Sequence, residues 1–230
     1  LPLSEGPIGA PCVGAHSVAT QHKRRVDLNA TPRPAVIVLA AGQGKRFLGA
    51  GHKLEQALGD STVLGRTLAL ALASQLRVVV VCSEPLAAGV RGSVAARDVV
   101  VLSPERAAQG MGRSIAAGVE AAADASGWLI LPGDMPLLRP DTLRRVAARL
   151  DTDPVVFAQY RGRRGHPVGF SQELYSELIA LQGDEGARRL LARYAAHPVD
   201  VDDPGVLLDV DTVDDLARAK ATDSQPGALL

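Results

Sequence analysis

The chain has 230 residues, 47% of them hydrophobic, which fits one globular domain with a sizeable core, since single cores grow to a few hundred residues. Its 25 Lys and Arg balance 25 Asp and Glu and only 3% of residues are aromatic, so neither charge attraction nor base stacking favours nucleic acid or an anionic membrane as partner. Cys12 and Cys82 are too few and too distant in sequence for a disulfide framework or a zinc site, and free thiols suit a reducing, cytoplasmic setting.

Residues 1–33 mix Pro, Gly and Ser with a basic cluster and are expected to form a flexible extension; residues 34–222 are the expected domain and 223–230 a loose tail. No apolar run approaches the roughly 18 residues of a membrane span. Residues 35–41 (AVIVLAA) have the continuous apolar pattern of a strand covered on both faces of a parallel sheet. A capped helix is predicted over 61–75, with Val63, Leu64, Leu68, Leu70 and Leu72 as its apolar positions, then a second buried strand over 77–84. A short helix over 86–96, a strand over 98–102, a helix over 113–123 and a strand over 128–134 continue the βαβ series. Beyond Pro140 the pattern gives a helix to Leu150, a strand over 153–160, a loop over 161–165 and a strand over 166–170. Two helices bracketing Gly183 and Gly186, a strand over 197–202 and a strand-to-helix segment over 206–220 complete the chain. Right-handed crossovers then imply an α/β, three-layer Rossmann-like fold: a mostly parallel sheet with a small antiparallel excursion in the second half.

In such sheets ligands collect beyond the carboxyl ends of the strands, and four loops there are chemically unusual. In LAAGQGKRF, Gly42 and Gly44 let the backbone approach an anion, with Lys45, Arg46 and Lys53 in reach. The loop is not a dinucleotide fingerprint, because Phe47 stands where a third glycine is required, and no GxxxxGK[ST] occurs. Alone it reads equally as a glycine turn with surface cations. In AAQGMGRS, Gly110 and Gly112 open a helix, and Ser114 suits either a ribose or phosphate contact or a plain cap. In LPGDMPLL, Asp134 ends a buried strand, where a carboxylate suits a hard cation such as Mg²⁺. In LLDVDTVDDL, Asp209 and Asp211 alternate on an expected strand, Asp211 reaching the same metal, while Asp214 and Asp215 read as first-turn residues of a helix. A glycine and cation cradle with two separated carboxylates is what displacement at a nucleoside triphosphate requires, so nucleotidyl transfer is the expected chemistry.

The ordered set LAAGxGxR with a following lysine (residues 39–46 and Lys53), QGMGxSxxxG (109–118), GDMP (133–136), YxGxRGHPVxF (160–170), GDxGAR (183–188) and DVDT (209–212) resembles the MobA-like nucleotidyltransferases, and among them the molybdenum cofactor cytidylyltransferases. The resemblance implies Mg²⁺-dependent transfer of CMP from CTP to molybdopterin, with pyrophosphate released and a molybdenum hydroxylase apoenzyme as a partner. Carried over by position, Leu39, Ala40, Ala41 and Gly42 border the base and ribose, and Gly44, Arg46 and Lys53 the phosphates. Gly110, Gly112 and Ser114 complete the nucleotide side, and Asp134 and Asp211 hold the metal. Arg46, Lys53 and Asp134 form the implied catalytic set, while Arg164, Gly165, His166, Gly183, Asp184 and Arg188 line the acceptor side. In that family LAAG, as opposed to LAGG, goes with cytosine, so Ala41 leans toward CTP.

Glu55 and Gln56, soon after Lys53, and the long interval between Arg46 and Lys53 depart from the family pattern. His166 also reads as the start of a strand, and Asp184 as a cap for the helix that follows. Two other functions share these loops: a nucleotidyltransferase of the same fold with another acceptor, such as a sugar phosphate or phospholactate, and a cofactor-binding chaperone that inserts cofactor into a molybdenum hydroxylase.

Overall fold

The computed structural model describes residues 33–223 apart from Gln43, Lys45, Arg46 and Glu185, so the expected extension before residue 33, the tail after 223 and the predicted Arg46 site lie outside the described residues. Strand β1 (Ala35–Ala40) is followed by a two-strand ribbon of β2 (Ala57–Leu58) and β3 (Ser61–Thr62), helix α1 (Val63–Ala73), strand β4 (Arg77–Ser83) and helix α2 (Glu84–Arg91). Next come β5 (Val99–Leu102), the short α3 (Pro104–Ala107), α4 (Met111–Ala121), β6 (Gly127–Pro132) and α5 (Pro140–Arg149). The second half adds β7 (Val155–Tyr160), β8 (Arg163–Ser171), α6 (Tyr175–Ile179), α7 (Arg188–Arg193), β9 (Ala196–Asp200) and α8 (Val213–Asp223).

Seven strands form one sheet in the order β5-β4-β1-β6-β8-β7-β9. Strands β5, β4, β1 and β6 run parallel; β8 is antiparallel to both of its neighbours, and β9 returns parallel to β7. The apolar runs are continuous because each face of the sheet has its own core. Val36, Val38, Val78 and Val80 pack with Leu64 and Leu68 of α1 and Leu143 and Val146 of α5. Ile37, Val79 and Val81 face the other way, toward Ile115 and Val119 of α4 and Leu178 of α6. This is the expected three-layer arrangement, with β8 as the antiparallel excursion.

The structure corrects several boundaries. Thr62, not Ser61, caps α1, its hydroxyl accepting the Gly65 N–H at 3.0 Å. Helix α2 starts at Glu84, with Pro85 in its first turn, and stops before Gly92, short of the predicted residue 96. Residues 163–165, expected in a loop, belong to β8. The reason is a two-residue turn at Arg161 and Gly162 with φ of 48° and 76°, whose twist matches a hairpin and lets Tyr160 pair with Arg163. Residues 208–211, expected as a strand, have no regular structure. Only the Val210 N–H reaches the sheet end, donating to the Asp134 carbonyl at 2.9 Å, and one bond does not make a ladder. Among the described residues no helix is long and apolar enough to cross a membrane.

Candidate active site

Strands β1 and β6 pair in register from Ala35 and Trp128 to Leu39 and Pro132. Pro132 has no N–H to donate, but the next residue continues the pattern: the Gly133 N–H donates to the Leu39 carbonyl at 2.9 Å. The LAAG and GDMP loops therefore leave the sheet side by side. Asp134 stands just beyond β6, and the segment carrying Asp211 is tied to it through the Val210 N–H. Lys53, from a single 3₁₀ turn over Lys53–Glu55, completes the group. Its Nζ makes a short ion pair with Asp134 and lies 2.7 Å from Asp211 Oδ1; the three side chains are only 13%, 13% and 14% exposed.

Burial alone would lower the pKa of the Lys53 ammonium, but the charges and hydrogen bonds of Asp134 and Asp211 outweigh it and hold the group above its ordinary 10.5. Glu55, the carboxylate that departs from the family pattern, is exposed, so it does not compete for the lysine. A residue missed in the sequence, His52, sets where Lys53 starts. Its Nδ1 accepts the Leu54 N–H at 3.2 Å and its Nε2 lies 3.1 Å from the Gly42 carbonyl. His52 thus bridges the glycine loop to the lysine turn.

The donor set can be tested against a divalent cation. Two carboxylates from separate segments converge, and Asp134 Oδ1 is buried without a hydrogen-bond partner. Among the described residues no group of three or more His, Cys, Asp or Glu is arranged to hold a metal. One or two carboxylates, with the remaining positions left to water and substrate phosphates, is the donor pattern Mg²⁺ accepts, so the residues fit.

A cavity of about 480 Å³ opens over these strand ends. Leu39, Ala41, Gly42 and Gly44 line it from the first loop, Gly110 and Ser114 from the entry of α4, and Lys53, Asp134 and Asp211 from its floor. Ala40 instead points into the core. Ser114 lies within α4 and Gly110 is the cap residue, so the serine is not the helix cap. A second cavity, of about 680 Å³, is lined by Arg164, Gly165, His166, Asp184 and Arg188 with apolar walls from Ile115, Ile130 and Val168. Leu39, Met111, Pro132 and Asp184 line both, so the cavities share a wall beside Asp134. Asp184 does not cap α7, whose cap position is Ala187 with no side-chain bond.

The second cavity carries two guanidinium groups, Arg164 and Arg188, and one carboxylate, Asp184. Arg164 stacks over the Phe157 ring at 4.8 Å, and desolvation holds its guanidinium below its ordinary value. His166 Nδ1 is buried without a hydrogen-bond partner, and burial holds the imidazole below its ordinary 6.5 despite the attraction of Asp134. Asp214 and Asp215 sit in the first turn of α8 as expected. Thr212 hydrogen bonds, first among its contacts, draw the Asp215 carboxyl down to about 2, as in a capping box.

The two cavities are linked by backbone. The Gly112 N–H donates to the Gly183 carbonyl at 2.9 Å, and the Gly183 N–H returns to the Gln109 carbonyl at 3.0 Å. Gly110 has φ 96°, and a Cβ there would lie 2.3 Å from the Gly183 carbonyl carbon. Gly110→Ala is therefore expected to force these loops apart and weaken nucleotide binding by about 5- to 150-fold, the equivalent of the roughly 1–3 kcal/mol such strain costs. Calorimetry with CTP and Mg²⁺ checks this, and unchanged affinity would show the loop contributes nothing to the site.

Residues 36–199 match the model of the MobA-like NTP transferase domain. The chain is 37% identical over 127 residues to the bifunctional protein GlmU of Micrococcus luteus, covering 52% of this chain and only 26% of that protein. It is 30% identical over 188 residues to the purine catabolism protein PucB of Bacillus subtilis, covering 76% and 90% respectively. Among solved structures, Rv0371c from Mycobacterium tuberculosis in complex with manganese aligns with a TM-score of 0.68 at 30% identity, covering 83% of this chain and 99% of that one. With the family model covering most of the chain and its loops meeting at one site, the chain belongs to the MobA-like NTP transferase domain family.

Proposed function

We propose that the protein is a nucleotidyltransferase that moves CMP from CTP to molybdopterin and releases pyrophosphate. The observation that carries this reading is the meeting of Lys53, Asp134 and Asp211 where the two cavities share a wall. A donor nucleotide in the first cavity and an anionic acceptor in the second meet beside these groups. In the transfer, an acceptor phosphate oxygen attacks the α-phosphorus of CTP; that P–O bond forms as the bond to pyrophosphate breaks. Leu39, Ala41, Gly42, Gly44, Gly110 and Ser114 hold the nucleotide, Lys53 offsets negative charge on the phosphates, and Arg164 and Arg188 orient the acceptor's anionic group. Asp134 and Asp211 would hold Mg²⁺, which would supply charge neutralisation at the triphosphate. His166, neutral and turned into the acceptor cavity, offers hydrogen bonding to a heterocycle. Ala41, at the wall of the nucleotide cavity, supports cytosine through the family resemblance alone. A molybdenum hydroxylase apoenzyme in the cytoplasm would receive the product.

One observation favours a second reading. Arg164 and Arg188 make no ion pair with any described residue, so the second cavity would accept another phosphorylated molecule, such as a sugar phosphate, on charge alone. Pyrophosphate release from each of the four NTPs, with and without molybdopterin, separates the readings. Release with CTP and molybdopterin only is expected. Release with another phosphorylated acceptor in place of molybdopterin selects the second reading, and cofactor binding without turnover in any combination overturns both in favour of a chaperone.

A further inference from the structure

We infer that Asp203, outside both cavities, is a positioning residue that sets where Asp211 stands; this rests on the reading of Asp211 as a metal ligand. Asp203 is only 1% exposed. One carboxylate oxygen, Oδ2, accepts the Arg139 N–H at 2.8 Å and the Thr142 hydroxyl at 2.6 Å, both at the start of α5. The other, Oδ1, accepts the Gly205 N–H at 2.9 Å and so fixes the turn Pro204–Leu207. A buried carboxylate accepting three donors is held tightly and leaves no oxygen to solvent.

That turn is wedged between two parts of the site. A Cβ on Gly205 would lie 2.2 Å from the Leu137 carbonyl oxygen, in the segment between Asp134 and α5. A Cβ on Gly165, beside His166, would lie 2.2 Å from the Val206 carbonyl oxygen. Both approaches are closer than any side chain permits, so the turn has one seat. From it the chain has only a few residues to reach the Val210 N–H bond to the Asp134 carbonyl, and then Asp211. Residues 208–211 have no helix or strand of their own to place them. Asp203 holds one end of this stretch, and the Val210 bond together with the Asp211 N–H to Asp215 Oδ2 at 3.2 Å holds the other, so the turn sets the path along which Asp211 arrives.

The two oxygens of Asp203 allow a test that separates positioning from helix support. Asp203→Asn retains an acceptor for Arg139 and Thr142 but presents an NH₂ to the Gly205 N–H, losing that tie. Thr142→Val removes a bond to α5 and leaves the Gly205 tie intact. Binding of Mn²⁺ alone is measured by electron paramagnetic resonance on the full chain, with melting temperatures in parallel. Asp203→Asn is expected to raise the Mn²⁺ Kd by about tenfold, as loss of groups that orient metal ligands does elsewhere, and Thr142→Val to leave it unchanged. Gly205→Ala, which lifts the same turn from Leu137, is expected to weaken Mn²⁺ as well and tests the turn should Asp203→Asn not fold. Asp211→Ala is the reference. If it weakens Mn²⁺ while Asp203→Asn and Gly205→Ala bind like wild type, the positioning role is overturned with the ligand role intact. If Asp211→Ala itself binds Mn²⁺ like wild type, the ligand reading fails and takes this inference with it. Equal weakening by Asp203→Asn and Thr142→Val would trace the effect to α5 and overturn the role of the turn.

Discussion

Asp134→Asn is expected to lower Mg²⁺-dependent pyrophosphate release by at least about 10²-fold, the scale seen when one group aimed at a developing charge is removed. The substitution keeps the shape of a side chain that is only 13% exposed, so packing against the end of β6 is preserved. What it removes is the charge and the oxygen pair. Asp134 Oδ1 is already buried without a protein partner, and an amide placed there binds a hard cation poorly. Lys53 keeps Asp211 at 2.7 Å, so the site does not lose its neutralising pair. Melting close to that of wild type, together with lost turnover, is the expected combination. Turnover like wild type in correctly folded protein would remove Asp134 from the mechanism.

Lys53→Met is the second large effect, and it acts first on stability. Without the ammonium, the mostly buried Asp134 and Asp211 carboxylates lose the cation they share, and the loss expected at neutral pH is about 2–3 kcal/mol, below the roughly 3–5 kcal/mol of breaking a fully buried pair because some solvent remains. For a chain of this size that corresponds to roughly 4–12 °C in Tm by calorimetry in EDTA. The sign with pH follows from the raised Lys53 pKa. The folded state holds the proton more tightly than the unfolded state, so the contribution is complete below 10.5 and is lost as pH rises through the folded value. Wild type and variant should therefore converge in strong alkali. Divalent metal should restore the variant more than it raises wild type, because metal replaces the missing positive charge. Equal melting of both proteins in EDTA at neutral pH would mean that the pair contributes nothing.

The sheet was legible because the parallel strands β1, β4 and β6 are buried on both faces, and continuous runs such as Ala35–Ala40 and Arg77–Ser83 have no competing helical period. The short pieces were not: β2 and β3 are two residues each, and α3 is a single turn opened by Pro104, too little sequence to carry a period. Asp209 and Asp211 look like a strand because alternation is all the sequence offers, yet their neighbours in space come from residues near 134 and 205. The candidate site fared in the same way. Lys53, Asp134 and Asp211 were each recognisable from strand ends and motifs, but their convergence on one ammonium depends on the pairing of β1 with β6. Asp203 and His52 carry no local signal, since the partners that give them a role lie in other segments, Asp203 with Arg139 and His52 with Gly42. Gly165 shows the reverse: its glycine answers to the close approach of Val206 as much as to any ligand.

The central claim is that the carboxyl ends of β1 and β6 form a metal-dependent nucleotide site. Calorimetric titration of CTP into the protein, once with Mg²⁺ and once with EDTA, tests it most directly. The site described predicts saturable binding with Mg²⁺, a large loss in EDTA and the same loss in Asp134→Asn with Mg²⁺ present. Binding of equal strength in EDTA, or no binding of CTP or any other NTP in either condition, would contradict it.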